Sequence, residues 1–362
     1  MKKYLIIFSA FCASTFSSFA VIPLGYYNSI NGKKDATLKT ELHNIICQDT
    51  THYLGYGSGA GKTWEGFYST DRDLITNAVI DMYSPNVRYF PNPNFASFGT
   101  TVEIEHSVPK SWWKCDITHP DCPAKDLNHL YPADGPTNAS KNDNPLGVVT
   151  GIPTKDNGVS KIGPGSYDGY LGTVFEPADQ YKGDFARSYF YVATAYEHYV
   201  NKWDLTKPEN MMANTTYPEL KPWAIQLLLQ WHRQDPVSEK ERTRNEVVFG
   251  IQRNRNPFID FPELVEYIWG SYVGIPYSPS TGTSSQIIEA SISPNPAKNT
   301  LNITCDQSEL SCTIYNTNGI LLAQYKLNNP TSISTAELKN GLYFLQINSG
   351  SHTSIQKFTI LK

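Results

Sequence analysis

The sequence predicts an α+β domain in which helices dominate, followed by a small all-β sandwich. Three observations predict it. Before residue 277, several long segments place apolar residues at helical spacing. After residue 290, apolar residues fall in short runs separated by turn residues. Between them lies "YSPSTGTSSQ", residues 277–286, polar and rich in Ser, Thr, Gly and Pro, which reads as a linker. The chain of 362 residues is long enough for one large domain plus a small one, and 40% hydrophobic residues supply a substantial core. Gly and Pro, 24 each, favour a loop-rich surface over a helical repeat.

The first twenty residues, "MKKYLIIFSAFCASTFSSFA", read as an export signal. Lys2 and Lys3 form a positive start, Tyr4 to Ala13 a short apolar stretch, and Ser18, Phe19 and Ala20 a small-x-small end, so cleavage is expected after Ala20. The apolar stretch is too short to span a membrane, and no longer one follows. The expected mature chain is therefore an exported domain over 21–276, a linker over 277–289 and a sandwich over 290–362.

Within the first domain, "ATLKTELHNIICQ" sets Leu38, Leu42, Ile45 and Ile46 near helical spacing. "DLITNAVIDMY", "DFARSYFYVATAYEHYV" and "PELKPWAIQLLLQWHRQ" read as further helices, and "FPELVEYIWG" as a last short one. Strand candidates are few, with "TVEIEH" the clearest. Beyond the linker, "LNITCD", "CTIYNTNG", "ILLAQYKL", "LYFLQINSG" and "SIQKFTILK" are the expected strands of the sandwich.

Export implies an oxidising environment. Cys115 with Cys122, and Cys305 with Cys312, are each seven apart and are expected to close small disulfide loops, leaving Cys47 unpaired. A zinc site from Cys115, His119, Cys122 and His129 ranks below the disulfide, because the spacing matches no compact zinc motif.

The chain carries a net charge of −4, and since both its ends are positive by two, residues 21–289 carry −8. An acidic domain is poorly suited to tight, charge-driven nucleic-acid binding unless cations act locally. One basic cluster exists: Arg233, Lys240, Arg242, Arg244, Arg253 and Arg255, with Asp235, Glu239, Glu241 and Glu246 among them. It is either a substrate contact or an ion-paired helix surface. The chain has no H-E-x-x-H, Walker or dinucleotide fingerprint.

Two stretches carry potential chemistry. "EIEHSVP", residues 103–109, puts Glu103, Glu105 and His106 on a strand that looks half-buried. "DLNHLYPADGPTNASKNDNPLG", residues 126–147, places Asn128, Asn138, Asn142 and Asn144 among Gly and Pro. Taken alone, the first is a solvated strand face and the second is turn filler. Strict alternation would also send Glu105 and His106 to opposite faces, so the strand should end or bulge there, with Ser107 to Pro109 as the break.

In combination, "IEHSVPKSWW" and "DLNHLYPADGPTN" resemble the endonuclease I family of secreted and periplasmic nucleases, members of the ββα-metal (His-Me finger) group. In that group a Glu-His pair ends one strand, and a second strand leads to an asparagine at the start of a helix, six residues after a proline. Pro132 plus six is Asn138. The resemblance covers roughly residues 25–275, extending through "DPVSEKERTRN" and "QRNRNPFIDFPELVEYIW". It implies that Glu105 and Asn138 bind one divalent cation, most directly Mg²⁺ with Mn²⁺ or Ca²⁺ as alternatives, and that His106 is the general base. The substrate would be DNA, RNA or both, cut without sequence specificity.

These residue types suit the task. A histidine of pKa about 6.5 can take a proton from water near neutrality. A hard cation that keeps several waters needs few protein oxygens. The chain departs from better-known members in two ways. It has Asn128 then His129 where they have the reverse order, which leaves open which residue braces the loop. It also lacks the family's phosphate-holding arginine, offering Lys110, Lys114 and Lys125 between His106 and Asn128. Lys125, Lys141, Arg253 and Arg255 are the expected substrate contacts.

The tail carries a second resemblance. "ISPNPAKNTLNI", "TIYNTNGILL" and "LKNGLYFLQINSGSHTSIQKFTILK" resemble the type A sorting domain of the type IX secretion system. This implies the secretion machinery as partner, passage across an outer membrane, and a secreted or cell-surface location with no membrane span in the mature protein. The competing reading of the whole chain is a noncatalytic surface protein, with an adhesive β-domain and a structural Glu-His pair.

Overall fold

The computed structural model describes residues 22–23, 25–48, 51–92, 98–114, 123–199, 203–278, 290–305, 307–316, 321–328, 332–349 and 352–362. The expected export signal, Cys115, His119 and Cys122, and most of the expected linker lie outside the described residues. The chain divides into two compact units, Met1–Tyr277 and Ser278–Lys362.

In the first unit, helix α1 (Asp35–Ile46) buries Leu38, Leu42, Ile45 and Ile46, the residues set at helical spacing. It also buries Lys39. That is tolerated because its ammonium donates to Glu197 at 3.0 Å, Glu219 at 2.8 Å and the Thr216 carbonyl at 2.8 Å. Helix α2 (Thr63–Thr70) follows a glycine-rich turn. Strands β1 (Val102–His106) and β2 (Leu130–Asp134) pair antiparallel, and helix α3 (Gly135–Lys141) leaves β2 directly. A separate antiparallel sheet of β3 (Lys155–Asp156), β4 (Ser160–Tyr167) and β5 (Tyr170–Pro177) comes next.

Helix α4 (Asp179–Ala195) is buried along almost its whole length and forms the centre of the unit. Helix α5 (Pro222–Gln234) packs beside it, starting at Pro222 because proline fits the first helical turn. Helices α6 (Glu239–Gln252), α7 (Pro257–Asp260) and α8 (Leu264–Ile268) complete the unit. Ser238 and Glu241 form a reciprocal capping box at the start of α6.

Two expectations for the first unit need correction. "DLITNAVIDMY" is not a helix. The Asp73 carboxylate accepts from the Ile75 and Thr76 amides at 3.0 and 2.7 Å, and Asn77 adopts a left-handed φ of 61°, so the segment turns, and Ile75 is left 93% exposed. The β4–β5 hairpin escaped the sequence reading because glycine and proline interrupt it. Gly165 is required there, since a Cβ would lie 2.5 Å from the buried Val174.

The second unit is an all-β sandwich. Strands β6 (Ser291–Ser293), β7 (Thr300–Thr304), β8 (Glu309–Asn316), β9 (Leu321–Asn328), β10 (Ser332–Ser334), β11 (Gly341–Ser349) and β12 (His352–Ile360) form two antiparallel sheets, ordered β10-β7-β6 and β12-β11-β8-β9. Their inward residues, among them Leu301, Ile303, Ile314, Leu345, Ile347 and Phe358, make one core. The expected Cys305–Cys312 disulfide is not formed. Cys312 points into the core from β8 and Cys305, just after β7, packs against the same core; burial first, then Cys305, push the Cys312 thiol up to about 11.

Candidate active site

The site grows from β1, β2 and α3. The register is unbroken, with Glu105 opposite Tyr131 and His106 opposite Leu130, so of the two expected breaks, an end or a bulge, the strand takes the first and ends after His106. The Asp134 carboxylate caps α3 by accepting from the Thr137 amide at 3.0 Å and hydroxyl at 2.8 Å, while Arg88 and Asn86 donate to its other oxygen at 2.6 and 3.0 Å. Gly135 lets the helix start against the preceding loop. A Cβ there would lie 2.1 Å from the Thr100 carbonyl oxygen.

Glu103 and Glu105, two apart on a strand, share the face that meets α3. Asn138 and Lys141, three apart on the helix, meet them there. The Asn138 amide nitrogen donates to Glu103 at 3.0 Å, and the Lys141 ammonium donates to Glu105 at 2.6 Å. The Glu103 contact turns the Asn138 amide oxygen away from that carboxylate, and among the described residues that oxygen accepts no hydrogen bond. Burial pushes the Glu105 carboxyl above its ordinary range, and the Lys141 charge pulls against that shift.

His106 lies on the other face, between aromatic rings. Its imidazole stacks on Tyr56, with centroids 5.7 Å apart and planes 21° apart, and meets Trp113 edge-on at 5.9 Å. Its Nε2 lies 3.3 Å from the Ala124 carbonyl oxygen. Donation of Nε2–H to that carbonyl fixes the tautomer and leaves the lone pair on Nδ1. Burial first, then the neighbouring His129, hold the imidazole well below its ordinary pKa of 6.5, so it is a neutral acceptor at neutral pH.

The brace of this loop is His129. Its Nε2 lies 2.7 Å from the Pro123 carbonyl oxygen, next to the Ala124 that orients His106. Asn128 instead reaches Asn254 at 3.3 Å. Glu105 and His106 both line a cleft of about 260 Å³ at the strand's end, together with Pro109, Lys110, Ser111, Asn138 and Asn142.

The expected substrate cations are dispersed. Arg255 is fully buried, bonded to Asp260 at 2.7 and 2.9 Å and to Glu246 at 2.7 Å, so it is a structural residue and not a substrate contact. Arg253 is exposed at the end of α6 with a left-handed φ of 66°, and it does not line the cleft. Lys125 is half-buried in the turn beside Ala124. Lys141 is buried against Glu105.

The rest of the basic cluster is largely ion-paired: Arg233 with Glu266 at 2.7 Å, Lys240 with Asp184, and Arg244 with Asp71 at 2.8 Å. Three residues gain importance only here. Lys110 is an exposed cation on the cleft, Glu103 orients Asn138, and Tyr56 covers His106. Glu103 had a signal, its two-residue spacing from Glu105. Tyr56, fifty positions away, had none.

Among the described residues, no group of three or more His, Cys, Asp or Glu is placed to hold a metal. The cleft offers instead a few oxygens: the Glu105 carboxylate and the Asn138 amide, with Asn142 and Asp143 beside them, the Asp143 carboxylate being already held by Lys207 and Ser111. That is a hard, sparse oxygen set. It suits a cation that keeps most of its waters and is unsuited to zinc or another metal that needs a closed protein cage.

Residues 35–263 match the family described as Endonuclease I, and residues 291–361 match the secretion system C-terminal sorting domain. The chain is also similar to an extracellular ribonuclease of Bacillus amyloliquefaciens, 36% identical over 248 residues, covering 67% of this chain and 78% of that protein. An extracellular ribonuclease of Bacillus subtilis (strain 168) is 35% identical over 250 residues, with the same shares covered. The sorting domain makes the secretion machinery a partner and places the protein outside the cell or on its surface. Among the described residues no helix is long and apolar enough to cross a membrane.

Proposed function

Because the chain belongs to the endonuclease I family and is a secreted nuclease, we propose that it is a metal-dependent endonuclease without a sequence requirement, with His106 as general base and one divalent cation at Glu105 and Asn138. Family membership sets aside the noncatalytic, adhesive reading of the Glu-His pair. The observation that carries the mechanism is the convergence of Glu105, His106 and Asn138 on one cleft from adjacent elements. Mg²⁺ is the natural ion for these oxygens. The curated relatives are named ribonucleases, which supports RNA as a substrate. The chemistry does not exclude DNA, because attack by water does not require a 2′-hydroxyl, so the substrate class is RNA, DNA or both.

His106 Nδ1 takes a proton from the attacking water as the new O–P bond forms and the bond to the 3′ oxygen breaks. The Ala124 carbonyl holds the ring in the tautomer this needs. Glu103 keeps the Asn138 oxygen turned toward the cleft, and Lys141 fixes the rotamer of Glu105. When bound, the cation supplies positive charge against the phosphate oxygens and the leaving oxygen. Lys110 is the best-placed phosphate contact, being exposed on the cleft, where it acts as a point charge and not a bidentate fork. The test is cleavage of matched RNA and DNA in Mg²⁺, with and without chelator. Cleavage of either that stops with chelator is expected. Cleavage that persists in chelator would overturn the metal-dependent reading.

A further inference from the structure

Strand β1 borders two spaces. One is the cleft at its end. The other is an open groove of about 280 Å³ lined by Tyr56, Trp64, Gly99, Val102, Glu103 and Ile104. Two residues tie the groove to the cleft. Tyr56 lines the groove while its ring stacks on His106, so a single ring is shared by both. Glu103 lines the groove while its Oε2 holds Asn138.

We propose that this groove is a nucleobase subsite for a nucleotide flanking the scissile phosphate, and that it takes bases carrying an exocyclic amino group. The inference rests on the nuclease reading above. A phosphate does not belong in the groove, because the Glu103 carboxylate repels it. The uncharged, flat part of the nucleotide does belong there. A tyrosine ring offers a stacking surface to any base. A carboxylate only accepts hydrogen bonds, and the second oxygen of Glu103 accepts none among the described residues. Adenine, cytosine and guanine present an amino donor to such an oxygen, whereas uracil and thymine have no exocyclic amine.

The loop that carries Tyr56 is closed on itself. The Gly55 amide donates to the Gly61 carbonyl at 2.8 Å, and the Thr63 amide donates to the Gly55 carbonyl at 2.9 Å. Left-handed φ values of 99° at Gly57, 108° at Gly59 and 69° at Gly61 permit this closure. Tyr56 is therefore presented by a fixed turn at the edge of the catalytic strand.

The test uses the full chain in Mg²⁺ on poly(A), poly(C), poly(U) and methyl p-nitrophenyl phosphate, a phosphodiester without a base. The wild type should cleave poly(A) and poly(C) more efficiently than poly(U). Tyr56→Ala should raise KM on poly(A) and poly(C) about ten-fold, the scale of losing one stacked base. Any loss on the base-free diester reports the ring's contact with His106 and should be smaller than the loss on poly(A) and poly(C), and Tyr56→Phe should restore the polymer KM. Glu103→Gln, which adds a donor, should narrow the gap between poly(U) and poly(C). An equal loss in Tyr56→Ala on the base-free diester and the polymers would show that the ring only holds His106, and would overturn the subsite. Unchanged KM on every polymer would overturn it as well. Both results leave the nuclease reading intact, whereas a wild type inactive on every substrate would overturn the nuclease reading itself.

Discussion

Replacing Arg244 separates the two roles that a basic cluster can have. The Arg244 guanidinium makes two contacts to Asp71, at 2.8 and 3.1 Å, and donates to the Leu127 and Leu130 carbonyls at 2.8 and 2.7 Å. The two side chains are 8% and 4% exposed. Arg244→Met keeps much of the volume but leaves a buried carboxylate without its cation and two carbonyls without a donor. Breaking a buried pair in this way costs about 3–5 kcal/mol. Urea unfolding should show that loss as a lower midpoint, while the salt dependence of RNA cleavage by the folded fraction stays as in the wild type.

Lys110→Met should behave in the opposite way. As an exposed residue it should change stability by less than about 0.5 kcal/mol. As a phosphate contact it should reduce the slope of log affinity against log salt by about 1. A loss below about 1 kcal/mol for Arg244→Met, the level of a surface pair, would refute the structural assignment. A reduced salt slope in that variant would refute it equally.

His106→Ala should fold normally and lose about 10²–10⁴ in rate, the scale of general-base help; near wild-type hydrolysis would exclude His106 as the base. Glu105→Ala and Asn138→Ala should each raise the Mg²⁺ concentration needed for half-maximal activity, and unchanged cation affinity by calorimetry in both would show the pair to be misassigned. His232 sets an acid limit on stability: burial, then Arg187, lower its pKa from 6.5 to about 4. The unfolded chain therefore binds the proton first, and stability is full above pH 6.5 and lost as pH falls toward 4, by about 3 kcal/mol at 1.4 kcal/mol per unit. Unfolding free energies at pH 7 and pH 4 should differ less in His232→Gln than in the wild type. A chain ending at Tyr277 should keep full nuclease activity yet fail to be secreted by its host, since the two units are separately compact; loss of activity in a folded truncated chain would give the β-unit a part in substrate binding.

The sequence by itself determined what depends on short-range spacing. The two-residue period of β1 and the three-residue step of α3 decide which side chains share a face, and the resemblance carried by "EIEH" and the Pro132-to-Asn138 interval singled out Glu105, His106 and Asn138, which line one cleft. The contrast between helical spacing and short strands likewise separated the α+β unit from the sandwich. Short-range patterns failed where a local competitor won, as at Asp73 and Asn77, or where glycine and proline masked a strand, as in β4 and β5. Only the tertiary structure decided the partner of each charge. Arg244 meets Asp71 from 173 positions away, Lys141 meets Glu105 from 36, and Arg255 is used up within its own turn by Asp260. A long charged side chain takes whichever carboxylate the packing of distant elements brings within reach of it, and no spacing rule records that choice. The same holds for Tyr56, which comes from a glycine turn before α2 to lie on His106 because Gly55, Gly61 and Thr63 close that turn on itself.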